Sequence, residues 1–378
     1  MVVRPASGGM KEHVLGLALG LVRLGHGVEV AAPEDSDIFR AALASGLAVR
    51  AIPLVGPLHP IKDPAAVSAL RRLIASGGFD VVHAHGFKAG LVGRLATRFS
   101  TRVPFIVTAH NHVLERDETS GAAKARYRGV ERALAGHVAR YIAVSESIRR
   151  ELLEGYGLPA QRVVTIHNGI DPAPFLLARD RSAARAALGV PDNVPVVGLA
   201  ARFSTQKGLR HLLAALPQMR GAAAGLVAVI GGSGPLESEL REQAAALEVS
   251  GFVRWPGHVA DVAELLAALD VYVSPAETEA LGIGLIEASA AALPIVATRV
   301  GGAGEVVVDG ETGLLVAARD PAALACATIA LLHDPELGRT LGAAARVRAI
   351  GEFGIDRMVE RTLGVYRAVL AEKSGGPA

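Results

Sequence analysis

Two glutamates eight residues apart, Glu279 and Glu287, bracket Gly282 and Gly284 in a segment that follows the apolar run Val271–Val273 and enters a helical pattern. Carboxylates in that setting are natural acceptors for sugar or ribose hydroxyls. Glycines at a helix start let backbone N–H groups and the helix dipole reach an anion. The plainer reading is that both acids complement a helix N-terminus. A second pair, Arg202 and Lys207, lies five residues apart between a strand end and a helix start, with Gly208 next. Arginine grips a diphosphate bidentately and lysine acts as a point charge. The G-x-x-x-x-G-K-[ST] order of a P-loop is absent, and a solvated basic turn is the alternative.

Histidines form the third group: His83 with His85, and His110 with His112, all at strand ends. Residues i and i+2 of an extended segment face one side, so each pair can converge and a zinc site has to be weighed. No Asp, Glu or Cys stands beside them at ligand-like spacing, which favours hydrogen-bonded strand-end histidines. The turn Ser7-Gly8-Gly9-Met10 either admits a phosphate or turns the chain. Gly231-Gly232-Ser233-Gly234-Pro235 matches a dinucleotide fingerprint only in part, because the third glycine position falls at Glu237. Asp35-Ser36-Asp37 has a metal-binding D-x-D spacing, but an acidic helix start explains it better.

Short β-branched runs alternate with helical patterns along the chain and must position these groups. Strands are expected at Val28–Ala31, Phe79–Val82, Phe105–Thr108, Tyr141–Val144 and Val163–Ile166, then at Val194–Ala200, Leu226–Ile230, Phe252–Trp255, Val271–Val273 and Ile295–Thr298. Helices are expected at Met10–Leu24, Pro64–Ser76, Lys88–Arg98 and Ser145–Tyr156, and after the midpoint at Leu209–Met219, Leu236–Leu247, Val262–Ala268, Leu285–Ala292 and Pro321–His333. Such alternation implies βαβ units and parallel sheets. The proline-rich stretch 167–191 interrupts it, which places one domain at 1–172, a second at 173–355, and a last amphipathic helix and tail at 356–378. The first strand has only Met1–Arg4, so either it is stunted or the natural start lies upstream.

Composition narrows the classes. The 378 residues carry 39 Lys+Arg against 37 Asp+Glu, a net charge of +2 that gives no support to a nucleic-acid binder. Apolar residues are 51%, enough for buried cores. The one cysteine, Cys326, excludes an intrachain disulfide, fits a reducing cytoplasmic setting, and reads as an inert core thiol. No secretory leader and no membrane-spanning run are visible. Basic residues between Glu115 and Arg140, including Lys124, Arg126, Arg128 and Arg132, suit either a solvated helix face or peripheral contact with an anionic membrane.

Taken together, these motifs resemble the retaining glycosyltransferases of family 4. The resemblance adds Thr108-Ala-His110-Asn111, Val144-Ser-Glu-Ser147, His167-Asn-Gly-Ile-Asp171 and Val300-Gly-Gly-Ala-Gly-Glu305, and spans nearly the whole chain. It implies an α/β GT-B fold, two Rossmann-like doubly wound domains facing across a cleft, with a nucleotide-sugar donor. It also implies roles. Arg202 and Lys207 hold the diphosphate. Glu279 takes sugar hydroxyls beside the backbone of Gly282, Ile283, Gly284 and Leu285. Glu287 takes the ribose, Gly8 and Gly9 approach the donor, and His110 reaches the donor sugar and phosphate. His110, Arg202, Lys207 and Glu279 are the catalytic candidates, and no metal or other cofactor is called for. The acceptor stays open among lipid-linked, polysaccharide and small-molecule hydroxyls. A hydrolase built on His83, His85, His110 and His112 leaves the cations and glutamates unexplained. A phosphorylase on the same fold and a noncatalytic sugar-nucleotide binder complete the alternatives.

Overall fold

A computed structural model describes residues 1–6, 8–56, 59, 61–98, 103–112 and 120–374. The chain divides into two compact units, Met1–Ile170 with Ile355–Ala378, and Asp171–Gly354.

The first unit is built on seven parallel strands: β1 (Val2–Val3), β2 (Glu29–Ala32), β3 (Ala48–Ala51), β4 (Val82–His85), β5 (Phe105–Ala109), β6 (Arg140–Ala143) and β7 (Val163–Thr165). Their order is β3-β2-β1-β4-β5-β6-β7. The inner strands are largely buried because helices cover both sides of a parallel sheet. A helix over Gly9–Arg23 follows β1, and the final helix, Ile355–Ser374, packs on it, with Val359 against Gly20. Leu17, Leu21, Ile106, Ile142, Met358 and Leu363 share one core there.

The second unit repeats the plan with six strands: β8 (Val196–Ala200), β9 (Val227–Gly231), β10 (Val253–Arg254), β11 (Val271–Ser274), β12 (Ile295–Thr298) and β13 (Leu314–Val316). Their order is β10-β9-β8-β11-β12-β13, all parallel. In each sheet the order reverses beside the first strand, between β1 and β4 and between β8 and β11. Ligands of doubly wound sheets bind at such switch points, at the strand carboxyl ends.

Most expected elements lie within a few residues of the observed ones. The strand expected at Phe79–Val82 runs instead over Val82–His85, with Val82 opposite Phe105 and His85 opposite Thr108. His83 and His85 are therefore inside the strand, where hydrogen bonds to both ring nitrogens of His83 and to Nδ1 of His85 offset part of the cost of burial. Edge strand β3 was not expected: it has no fully buried residue and hence little apolar signal. The short β13 and the 18-residue helix Pro335–Glu352 were also not expected. Asp35-Ser36-Asp37 is a helix start, with the Ser36 hydroxyl accepting from the Phe39 N–H at 3.3 Å. Cys326 is exposed on the helix Pro321–His333, a correction to its reading as a core thiol. No helix among the described residues is long and apolar enough to cross a membrane.

Candidate active site

In the second unit, β8 delivers the loop that carries Arg202 and a 3₁₀ turn, Thr205–Lys207. Gly208 then starts the helix Leu209–Ala222 with φ +59°, and a Cβ there would stand 2.0 Å from the Pro275 carbonyl oxygen. Only glycine tolerates both the left-handed backbone and that approach. The β8 and β11 loops are stitched further by the Glu277 N–H, which donates to the Gln206 carbonyl at 2.8 Å. Glu277 itself has a buried side chain bound by Arg210 (2.6 Å), Arg319 (2.8 Å) and His211 (3.0 Å). Burial alone would raise its pKa, but Arg319, His211 and Arg210 together hold it below the ordinary carboxylate value. This acid was not singled out in the sequence. Its signal was its place between Pro275 and Glu279.

That stitching brings two of the expected residues together: Lys207 Nζ lies 2.5 Å from Glu279 Oε2. Arg202 is exposed, and its guanidinium makes no hydrogen bond or ion pair among the described residues. The loop after Glu279 is pinned by the Gly302 N–H, which donates to the Glu279 carbonyl at 2.9 Å. Gly282, at φ +96°, precedes the helix Ile283–Ala290, whose start no side chain caps. Ile283 and Gly284 occupy its first two positions, Leu285 turns into the core, and Glu287 is half-buried in its second turn. A side chain at Gly284 would strike the Tyr272 hydroxyl, 2.5 Å away. Burial first, then Glu287 and Glu279, push the Tyr272 pKa far up, so it remains a neutral hydroxyl between two carboxylates. The glycines after β9 serve packing: a Cβ at Gly232 would meet the Ala201 carbonyl at 1.9 Å, and one at Gly234 the Phe203 carbonyl at 2.4 Å. They let the Arg202 loop lie on the 232–234 turn.

In the first unit, Gly8 (φ +59°) caps the Gly9–Arg23 helix at the switch point, next to β4, and Gly9 is the helix's first residue. Ser7 lies outside the described residues. His110 follows β5 and is buried, its Nε2 3.1 Å from His85 Nδ1. The ring of His83 is 4.2 Å from that of His85. Its nitrogens bond Tyr366 Oη (2.6 Å) and Thr108 Oγ1 (2.7 Å). His112 does not converge with His110. Its Nδ1 bonds Glu151 Oε2 at 2.6 Å and its Nε2 meets Ser147 Oγ at 3.3 Å. The helix that carries these partners begins α-helical at Glu146–Arg150 and continues as a π-turn over Glu151–Gly155, a distortion common at functional sites. In place of His112 the fold supplies His13 from the first helix, its ring 4.6 Å from His110 and 5.5 Å from His85. His13 was missed because one histidine in an apolar helical stripe resembles any core residue. Burial lowers its pKa to about 4, with Asn168 opposing. Burial and neighbouring histidines hold His85 and His110 well below the usual value.

The basic helix Gly121–Leu134 is fixed by Glu131, whose carboxylate accepts both terminal nitrogens of buried Arg94 at 2.5 and 2.6 Å; Arg126 and Arg128 stay exposed. Residues 115–119 of the basic stretch are outside the described residues.

Known proteins bear on these residues. The family model Glycosyltransferase Family 4 matches residues 7–174, and Glycosyl transferases group 1 matches residues 180–348. D-inositol 3-phosphate glycosyltransferase 1 of Catenulispora acidiphila is 33% identical over 396 residues, covering 98% of this chain and 93% of its own. Alpha-maltose-1-phosphate synthase of Mycolicibacterium smegmatis is 36% identical over 316 residues, covering 77% and 79%. Among solved structures, Anabaena HepE in complex with UDP and glucose superposes with TM-score 0.85 at 22% identity, covering 97% and 99% of the two chains. Sucrose-phosphate synthase from Thermosynechococcus elongatus gives 0.83 at 25% identity, covering 98% and 99%. The chain has the GT-B fold, belongs to glycosyltransferase family 4, and is a glycosyltransferase.

Proposed function

We propose that the protein moves a sugar from an α-linked nucleotide-sugar to an acceptor hydroxyl with retention of anomeric configuration, in the synthesis of a cell-surface polysaccharide, glycolipid or related glycoconjugate. The observation that supports this best is the β8/β11 switch point, where an unpaired exposed guanidinium, the Lys207–Glu279 pair and an uncapped helix start follow the carboxyl ends of the two central strands. Arg202 and Lys207 take the diphosphate. Glu279 and the N–H groups at the start of the Ile283–Ala290 helix take the sugar, and Glu287 takes the ribose hydroxyls. His110 contacts the donor sugar, and the Gly8-Gly9 turn offers it backbone without side-chain bulk.

As the anomeric bond breaks, negative charge gathers on the departing diphosphate. Cations and backbone dipoles already aimed there stabilise that charge without reorganising. Two cations and a helix N-terminus supply what a divalent ion would, so turnover needs no metal. An inverting transfer needs a base on the far face of the sugar, and a double displacement needs a nucleophile there; the motifs assign neither. The departing phosphate oxygen then takes the acceptor's proton on the same face.

The test is a panel of nucleotide-sugars with D-inositol 3-phosphate, the compound in one relative's name, as the first acceptor. Product NMR is expected to show the small anomeric coupling of an α-linked gluco-configured sugar. A β-linked product would overturn the mechanism.

A further inference from the structure

We infer that His13, His85 and His110 form a binding site for a transition-metal ion such as Zn²⁺, and that occupying it withdraws His110 from the donor sugar and stops turnover. The second half rests on the role given to His110 above; the first half does not.

One ring nitrogen from each of the three lies within 4.8 Å of the other two, and all three residues are buried. Other histidines nearby are excluded by their bonds. His83 spends both nitrogens on Tyr366 and Thr108, and His112 spends both on Glu151 and Ser147. His13 differs. It is 2% exposed, yet neither ring nitrogen has a partner at full hydrogen-bond geometry, and the nearby Asn168 offsets only part of the cost of burial. A buried polar group left unmade is costly, and a metal bond to one nitrogen relieves part of that cost. His85 Nδ1 and His110 Nε2 are 3.1 Å apart. With Zn–N bonds of about 2.0–2.1 Å, two ligand nitrogens of a tetrahedral ion stand roughly 3.3 Å apart, close to the spacing already present, and the ion replaces the shared hydrogen from a place beside the line between the two nitrogens. That hydrogen moves to the other nitrogen of its own ring, and no proton is lost. The groups bind as neutral imidazoles, which their burial already favours. Three histidines leave a fourth position for water, and Asn168, buried with an unpartnered Oδ1 and close to His13, suits a hydrogen bond from it. His110, 7% exposed against 2% and 0% for His13 and His85, marks the way in.

The experiment titrates metal-free protein with Co²⁺ and then Zn²⁺, alone and without substrate. The expected result is one equivalent of Co²⁺ giving the visible bands of a tetrahedral ion, displaced by Zn²⁺. Affinity should fall at least tenfold in His13→Gln, and X-ray absorption of the wild-type zinc complex should show three imidazole ligands. The absorption measurement keeps the test sound if His13→Gln folds poorly. In a separate arm, turnover should fall in step with zinc occupancy and return on chelation. No saturable binding at one equivalent, or binding that does not depend on His13, overturns the site. His13-dependent binding that leaves turnover intact overturns the inhibition, and with it the placing of His110 at the donor sugar.

Discussion

The two units share one topology but arm it differently. Beside β1 and β4, the switch point of the first unit carries buried imidazoles: His13, His83, His85 and His110 are all 7% exposed or less. Beside β8 and β11, the second unit presents groups open to solvent: Arg202 is exposed, and the Lys207 and Glu279 side chains are 32% and 13% exposed. A fold that leaves charges hydrated at a strand end keeps them ready for a charged ligand. One that buries uncharged rings suits a ligand recognised by shape, hydrogen bonds or coordination. The contrast is why we propose the second unit, rather than the first, as the place where the diphosphate binds.

The sharpest way to break this contrast is to remove the charges. Arg202→Ala and Lys207→Ala should each lower turnover by roughly a hundredfold or more, the scale for losing one preorganised donor to a developing charge, with thermal unfolding little changed. Steady-state kinetics on both variants checks this, and near-normal turnover in both removes them from the phosphate site. A smaller effect is expected in the first unit. Glu151→Gln loosens the His112 anchor two residues from His110 and should lower kcat by about tenfold, with a lesser change in KM for the donor. Equal kcat in the variant would disconnect the π-turn from His110. The Glu277 hub acts on stability, with the smallest effect expected on turnover. Because its folded pKa is depressed, its stabilisation is complete above the unfolded value near 4.5 and is lost as pH falls through the folded value. Glu277→Gln should cost about 1–3 kcal/mol at pH 7, and the gap from wild type should narrow in strong acid. Urea unfolding at several pH values measures both.

The charged half of this contrast was legible in the sequence because its chemistry lies in contiguous loops. Arg202 and Lys207 share one turn, Glu279 and Glu287 one loop and helix, and the alternation of strands and helices already put both at strand ends. The Lys207–Glu279 contact was not legible, since it depends on the β8–β11 neighbourhood and on Gly208 meeting Pro275. The histidine half was read less well. Strand spacing paired His110 with His112, but the chain leaves β5 before His112, so the two-residue repeat no longer applies and Glu151 captures that ring. His13 comes from a helix some 70 residues earlier in the chain than His85, a distance at which local pattern carries no information. The partial dinucleotide signal at Gly232 and Gly234 was a packing requirement of the Arg202 loop.

Calorimetric titration of the protein with UDP, GDP and ADP most directly tests whether the second unit holds the diphosphate. One of the three should bind saturably at one site to the wild type and to His110→Ala with similar affinity, and at least a hundredfold more weakly to a variant lacking both Arg202 and Lys207. Equal binding by that double variant, or weakened binding only in His110→Ala, would contradict the account.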